Sequence, residues 1–295
     1  MAGYQVTASS TTDLPADYYV KRSVPIANYR FHLDGEVYLD DFGKSLPLSE
    51  FYRRIGEDGA EPTTSQLNLS DYISLFEPIL HRGEDVLHLE MSSAITGSIQ
   101  SAYFARDQLS AQYPDRRIYL VDTLAASAGY GLLLDKVLDF RDEGMPAEEL
   151  YNWTEAHKLN MHHWFFTSEL KHLRRGGRVS ASAAIVGTFL NICPLMNMSN
   201  EGKLTPRAKI RGKKHVVAEC VRRMAEFADG GTSYSGKVFL SHSANMTDAQ
   251  SVVSLVLATF PNVREVQVSD VGTVIGSHTG PGTVALFFWG RKRVD

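Results

Sequence analysis

Asp85-Val86-Leu87-His88-Leu89-Glu90-Met91 followed by Ser92-Ser93-Ala94-Ile95-Thr96-Gly97-Ser98 is the stretch on which the fold turns. The first seven residues read as a strand, the next seven as a small-residue, hydroxyl-rich loop, and a helix follows to about Tyr113. The pattern recurs at once: Arg117-Ile118-Tyr119-Leu120-Val121-Asp122 is a strand, then comes a small-residue turn and a helix that Gly144 ends. Strand, loop and helix in repetition predict parallel strands joined by right-handed crossovers. Ligands in such sheets bind at the carboxyl ends of the strands, where these loops gather.

Upstream, a short strand ends in Ser9-Ser10-Thr11-Thr12-Asp13-Leu14-Pro15, a hydroxyl cluster suited to capping a helix or to binding an anion. Val24 to Leu39 alternates around Asp34-Gly35 and reads as a hairpin with a type I′ turn. Ser49 to Ile55 is helical, and Pro62-Thr63-Thr64-Ser65-Gln66 is a polar loop. It leads into a helix whose apolar face carries Tyr72, Ile73, Leu75, Phe76, Ile79 and Leu80, stopped by Gly83.

Downstream, a helix runs from Pro146 to about Asn160, and His162-His163-Trp164-Phe165-Phe166-Thr167 is a strand. Its adjacent histidines point to opposite faces, a poor metal pair, and are expected to be structural. Glu169 to Arg175 is a short helix broken by Gly176-Gly177-Arg178, and Ser182 to Ile192 an apolar helix rich in small residues. Cys193 to Met198 and Lys203 to Ile210 form a second hairpin around Asn200-Glu201-Gly202. Helices at Lys213 to Phe227 and Thr247 to Phe260 then alternate with strands at Lys237 to Ser241 and Val263 to Ser269. The chain closes on two expected strands, Val271 to Ile275 and Thr283 to Trp289, joined by Gly276-Ser277-His278-Thr279-Gly280-Pro281-Gly282. The expected architecture is α/β: a three-layer α/β/α N-terminal domain (1–165) with a mostly parallel sheet, and a smaller α/β C-terminal domain (166–295) with a mixed or antiparallel sheet.

A chain of 295 residues exceeds one usual core, in keeping with two domains. Hydrophobic content of 43% and charged content of 22% exclude disordered and fibrous classes. The net charge of -4 argues against a general nucleic-acid binder. Two cysteines without CxxC spacing support neither a disulfide framework nor a Cys-rich zinc site. The start of the chain lacks signal-peptide features and no apolar run spans a bilayer, so a cytoplasmic protein is expected.

Three hydroxyl-rich loops (Ser9 to Thr12, Thr63 to Ser65, Ser92 to Ser98) and the glycine-flanked His278 could share a site. Together they offer neutral hydrogen-bond donors with no Lys or Arg inside the motifs, which suits one small oxyanion in a mostly apolar pocket. A hydroxyl with a histidine also admits nucleophilic catalysis, although no G-x-S-x-G elbow occurs. His278 could equally sit in a tight turn and face water. Phosphate-loop motifs are absent. From Lys203 to Lys214 six basic residues (Lys203, Arg207, Lys209, Arg211, Lys213, Lys214) occur without an acid. They are either a solvated face or a docking surface for an acidic partner or its phosphates, a choice that extends to Lys171, Arg174, Arg175 and Arg178.

In order along the chain, Ser10-Thr11-Thr12-Asp13-Leu14, Pro62-Thr63-Thr64-Ser65-Gln66, Ser92-Ser93-Ala94-Ile95-Thr96-Gly97, Val121-Asp122-Thr123, Gly176-Gly177-Arg178-Val179-Ser180 and His278-Thr279-Gly280-Pro281-Gly282 resemble the motifs of the DegV family of bacterial fatty-acid-binding proteins. The resemblance implies a fatty acid held between two α/β domains while a separate kinase of the dihydroxyacetone-kinase-like type phosphorylates its carboxylate. It implies no catalytic residue in this chain, no metal and no cofactor beyond the bound lipid. Thr64, Thr96 and His278 stand at the carboxylate-binding positions, with Thr96 where the family usually has Ser. Arg211, and with it Arg178, is assigned to kinase docking or the phosphoryl step. Ser9 occupies the place of an early family Asp.

A tail of roughly fifteen methylenes at about 0.8 kcal/mol each offers on the order of 12 kcal/mol of gross burial, so the head group needs only orientation. The helix Ala183 to Leu190, with Ile185, Phe189 and Leu190, is either a lid over the tail hinged at Gly176-Gly177 and Pro194 or an ordinary core helix. The competing function is a Ser/Thr-His esterase or acyl hydrolase, and a third reading is an RNA-binding basic surface.

Overall fold

The computed structural model describes residues 3–168, 170–179 and 191–293. Its elements in chain order begin with β1 (Tyr4–Ser9), α1 (Ala16–Lys21), β2 (Ile26–Ala27), β3 (Arg30–Leu33), β4 (Glu36–Leu39), α2 (Leu48–Gly56) and β5 (Thr63–Ser65). The repeating stretch gives α3 (Leu69–His81), β6 (Asp85–Glu90), α4 (Ser98–Gln112), β7 (Ile118–Asp122), α5 (Ser127–Asp142) and α6 (Ala147–His157). There follow β8 (Met161–Phe166), α7 (Lys171–Arg175), β9 (Ile192–Met198), β10 (Leu204–Arg211) and α8 (Lys213–Phe227). The chain ends with β11 (Val238–His242), α9 (Met246–Thr259), β12 (Val266–Asp270), α10 (Thr273–Thr279) and β13 (Val284–Trp289).

The strand-loop-helix repeats do what they predict. β2, β1, β6 and β7 form a wholly parallel four-stranded sheet. α3 and α4 pack on one face and α6 on the other, completing the three-layer α/β/α arrangement. The second sheet, of order β10-β9-β8-β13-β11-β12, is antiparallel except for its β11-β12 edge pair. β8 starts at Met161, ahead of the expected 165/166 boundary, and its partners are β9 and β13. α5 is buried along most of its length because it packs against β8, β11 and β13 as well as α6.

The hairpin at Asp34-Gly35 forms as expected, with both residues at positive φ (53° and 85°) as a type I′ turn requires. Two expectations change. Thr63–Ser65, read as loop, is a strand that adds antiparallel to β3, because its backbone completes that strand's open edge. Val271 to Ile275, read as a strand, instead enters α10, which places His278 on a helix and not in a strand-joining turn. β-branched Thr273, Val274 and Ile275 favour a strand. Here carboxylates of Asp13 and Asp40 take the N–H groups of Gly272 and Thr273 at distances of 3.0 and 3.1 Å, fixing a helix start, and Gly280 at φ 68° ends it.

Candidate functional site

A cavity of about 350 Å³ lies between the loops of the N-terminal half and one face of the second sheet. This is within the range of small-molecule sites. Met91, Phe165, Leu173, Met198, Val274 and Phe287 make much of its wall apolar. Thr64, Thr96 and His278, separated by up to 214 residues in sequence, all line it, as does Arg178. Arg211 does not border it: it sits exposed at the end of β10, its carbonyl accepting from the His215 ring at 2.9 Å.

β5 brings Thr64 opposite α10, where Thr64 Oγ1 and His278 Nε2 are 2.8 Å apart. Burial, and then the charges of Arg178 and Arg175, push the His278 pKa from its ordinary 6.5 down to about 4. The imidazole is therefore neutral at pH 7 and carries one N–H. Its Nδ1 is buried without a hydrogen-bond partner among the described residues. Gly176 leaves that edge room: a Cβ there would fall 2.3 Å from Nδ1. Gly176→Ala, which the backbone φ of -71° tolerates, should displace the ring from Thr64. A shift of the His278 ring resonances by NMR checks this, and a melting temperature unchanged within a few degrees excludes unfolding as the cause.

A second expectation concerns pH. With a folded pKa of about 4 against 6.5, the unfolded chain protonates His278 while the folded chain does not. Stability is thus lost as pH falls from about 6.5 to about 4, by up to about 3 kcal/mol for so buried a group. Denaturant melts of wild type and His278→Gln across that window should converge or cross toward acid pH, and parallel curves would contradict the assignment.

Thr96 is held from below. Its Oγ1 lies 2.9 Å from Ser98 Oγ and accepts from Ser98 N at 3.3 Å. The hydroxyl of Tyr29, which also borders the cavity, interacts with both and donates to Glu90 Oε1 at 2.9 Å. Glu90 is wholly buried and takes further hydrogen bonds from Ser9 Oγ (3.1 Å), Tyr72 OH (2.6 Å), Met91 N (2.8 Å) and the His88 ring (3.1 Å). Burial alone would raise its carboxyl pKa, but pairing with His88 and the donated hydrogen bonds overcome that and hold it below the ordinary value. His88 Nδ1 in turn meets Thr7 Oγ1 at 3.0 Å. The sequence reading missed this network. Its available signal was the pair His88 and Glu90, two positions apart on one face of an otherwise apolar strand.

The Ser9 to Thr12 loop neither caps a helix nor enters the cavity. Ser10–Thr12 is a short 3-10 turn without a side-chain cap, and its hydroxyls turn inward. Ser9 joins Glu90, Ser10 meets Asp40 at 2.7 Å and Thr12 meets Tyr19. His162 and His163 do face opposite sides: His162 stacks on Phe288, while His163 packs edge-on to Phe287 and borders the cavity.

Arg178 donates to the carbonyl of Ile95 through Nε (3.2 Å) and Nη2 (3.0 Å) and to that of Gly176 through Nη1. No carboxylate among the described residues pairs with it, and burial lowers its pKa. A half-buried cation, with no counter-charge among the described residues, thus stands beside Thr96 and His278. In the basic run, Lys203 pairs with Glu201, Lys213 with Asp248 at 2.6 Å, and Arg207 meets Asn197 at 2.8 Å. Ile185, Phe189 and Leu190, with the proposed lid helix, lie outside the described residues. No cluster of metal-binding side chains occurs among the described residues, and no helix among them is long and apolar enough to cross a membrane.

The family model described as "Uncharacterised protein, DegV family" matches residues 4–291. The chain belongs to the DegV family. A DegV domain-containing protein of Clostridium perfringens is 32% identical to it, over 99% of each chain. A solved DegV family protein from Thermus thermophilus, described by its fatty acid binding, superposes with a TM-score of 0.86 at 27% identity, covering 97% of this chain and 99% of its own. The fatty acid kinase B3 protein of Streptococcus pneumoniae, solved loaded with linoleic acid, shares the DegV fold with a TM-score of 0.83 at 20% identity, covering 98% and 99%.

Proposed function

We propose that this chain binds one long-chain fatty acid in the cavity and presents its carboxylate to a separate fatty acid kinase, without catalysing a reaction itself. The observation that carries the reading is the Thr64–His278 pair at 2.8 Å beside Thr96 and Arg178, on the wall of a largely apolar cavity. A neutral imidazole can pass its one N–H to Thr64, freeing that hydroxyl to donate to a carboxylate oxygen, or donate to the carboxylate directly. Thr96 Oγ1 accepts from Ser98 N and can turn its O–H from Tyr29 to donate into the cavity. Arg178 adds charge complementarity, with three of its five N–H groups engaged by the carbonyls of Ile95 and Gly176. The fatty acid binding of the Thermus thermophilus relative supports the ligand class. The kinase step rests on the motif resemblance, with Arg211 exposed and available to a partner.

The hydrolase reading loses its base. A Ser or Thr nucleophile needs a histidine oriented by an acid, and His278 Nδ1 has no such partner among the described residues. Mass spectrometry of an organic extract of the denatured protein separates the two. A stoichiometric free fatty acid is expected. No lipid, together with turnover of a model ester that His278→Ala abolishes, would overturn the carrier reading.

A further inference from the structure

α10, which carries His278, is a weak element left to itself. It has seven residues, opens and closes on Gly272 and Gly280, and contains Gly276. A helix this short is not stable alone, so its position is set by what grips it. Among the described residues, the side chains that hydrogen-bond its start come from the N-terminal half of the chain. Asp40 Oδ1 accepts from both Thr273 N (3.1 Å) and Thr273 Oγ1 (2.7 Å). Asp13 Oδ1 accepts from Gly272 N (3.0 Å), and its other oxygen meets Ser127. Tyr52 OH donates to Val271 O (2.7 Å), and a Cβ on Gly276 would lie 2.5 Å from that same hydroxyl.

Asp40 also reaches the other side of the head-group site. Its Oδ2 accepts from Ser10 Oγ (2.7 Å), and Ser10 Oγ accepts from the backbone N–H of Tyr29 (3.2 Å). The Tyr29 hydroxyl is the group that underlies Thr96 and Ser98. One buried carboxylate, 4% exposed, is therefore bonded to the helix that carries His278 and linked through Ser10 to the backbone of the strut beneath Thr96. Asp40 itself borders the neighbouring cavity with Asp13, not the ligand cavity, so it does not touch the ligand.

Resting on the carrier reading above, we propose that Asp40, backed by Asp13, is a positioning residue that sets the spacing between His278 and Thr96, and so selects for a carboxylate head group. Five residues separate Thr273 from His278, about 7 Å along a helix axis. A shift at the anchored end is carried to the imidazole because so short a segment moves as one piece. The effect falls more on the head group than on the tail, because Phe165, Met198 and Phe287 of the second sheet build much of the tail wall, to which α10 adds Val274 and Ile275.

The test compares palmitate with hexadecanol, which has the same tail and no carboxylate, on the delipidated full-length chain. Asp40→Ala should weaken palmitate at least tenfold and hexadecanol less than about threefold. Asp40→Asn, which keeps an acceptor for Thr273, should restore most of the palmitate affinity. Thr273→Val removes one of the two bonds and should shift palmitate in the same direction by a smaller factor, which keeps the test open if Asp40→Ala does not fold. The His278 ring resonances of the wild type should move on adding palmitate and fail to do so in Asp40→Ala. Equal losses for both ligands, or unchanged palmitate affinity in Asp40→Ala or Thr273→Val, overturn the positioning role and leave the carrier reading standing. A wild type that takes up neither ligand overturns both.

Discussion

Glu90→Ala is expected to destabilise the protein by about 3–5 kcal/mol, the usual cost of removing one partner from a buried charged network. The loss leaves Tyr29 OH, Tyr72 OH, Ser9 Oγ and the His88 ring, all buried, without their shared acceptor. For a chain of this size that corresponds to a fall in melting temperature on the order of 10 °C. Thermal unfolding followed by circular dichroism reads it directly. A fall of under a few degrees would show that the donors find other partners and that the network is not cooperative. The variant should also bind fatty acid poorly even where folded, because Tyr29 would no longer be held beneath Thr96.

His278→Ala is expected to weaken fatty-acid binding by roughly 10- to 100-fold, the range for one hydrogen bond to a charged group. Stability at neutral pH should change little, since the substitution removes a half-satisfied buried imidazole along with its single bond to Thr64. Thr96→Ala should act in the same direction with a smaller factor, because the Ser98 hydroxyl remains as a donor nearby. Competition titrations against a fluorescent fatty acid measure both. Unchanged affinity in the two variants would place the head group elsewhere.

The parallel sheet was legible because its signal is local: an apolar strand, a small-residue loop and a helix, twice in succession from Asp85 to Gly144. The Asp34-Gly35 hairpin was legible for the same reason, since positive φ at two adjacent positions demands those residues. The reading failed where long-range contacts overrode local preference. Thr63–Ser65 becomes a strand only because β3 offers an unpaired edge. Val271 to Ile275 becomes the approach to a helix only because carboxylates from 233 and 259 positions earlier cap it. Periodicity cannot register a cap supplied from the far end of the chain.

The site was legible in part. Thr64, Thr96 and His278 were named together from their motifs, and the fold does bring them to one cavity wall. Ser9 to Thr12 were grouped with them on hydroxyl content alone, and that grouping does not hold, because a buried hydroxyl satisfies whichever acceptor lies nearest. Tyr29, Glu90 and Asp40 carried no motif. Their importance comes from which groups they join, and that is fixed only when β1, β6 and α10 are in place. Arg178 was read with the basic surface, yet its side chain folds back onto Ile95 and the cavity.

The most direct measurement is the crystal structure of the chain with palmitate bound. The account predicts carboxylate oxygens within about 3.2 Å of Thr64, Thr96 or His278 side-chain atoms, with the tail against Phe165, Val274 and Phe287. A carboxylate beside Ser127 and out of reach of those three side chains, or a ligand seated in the neighbouring cavity of Asp13 and Asp40, would contradict it.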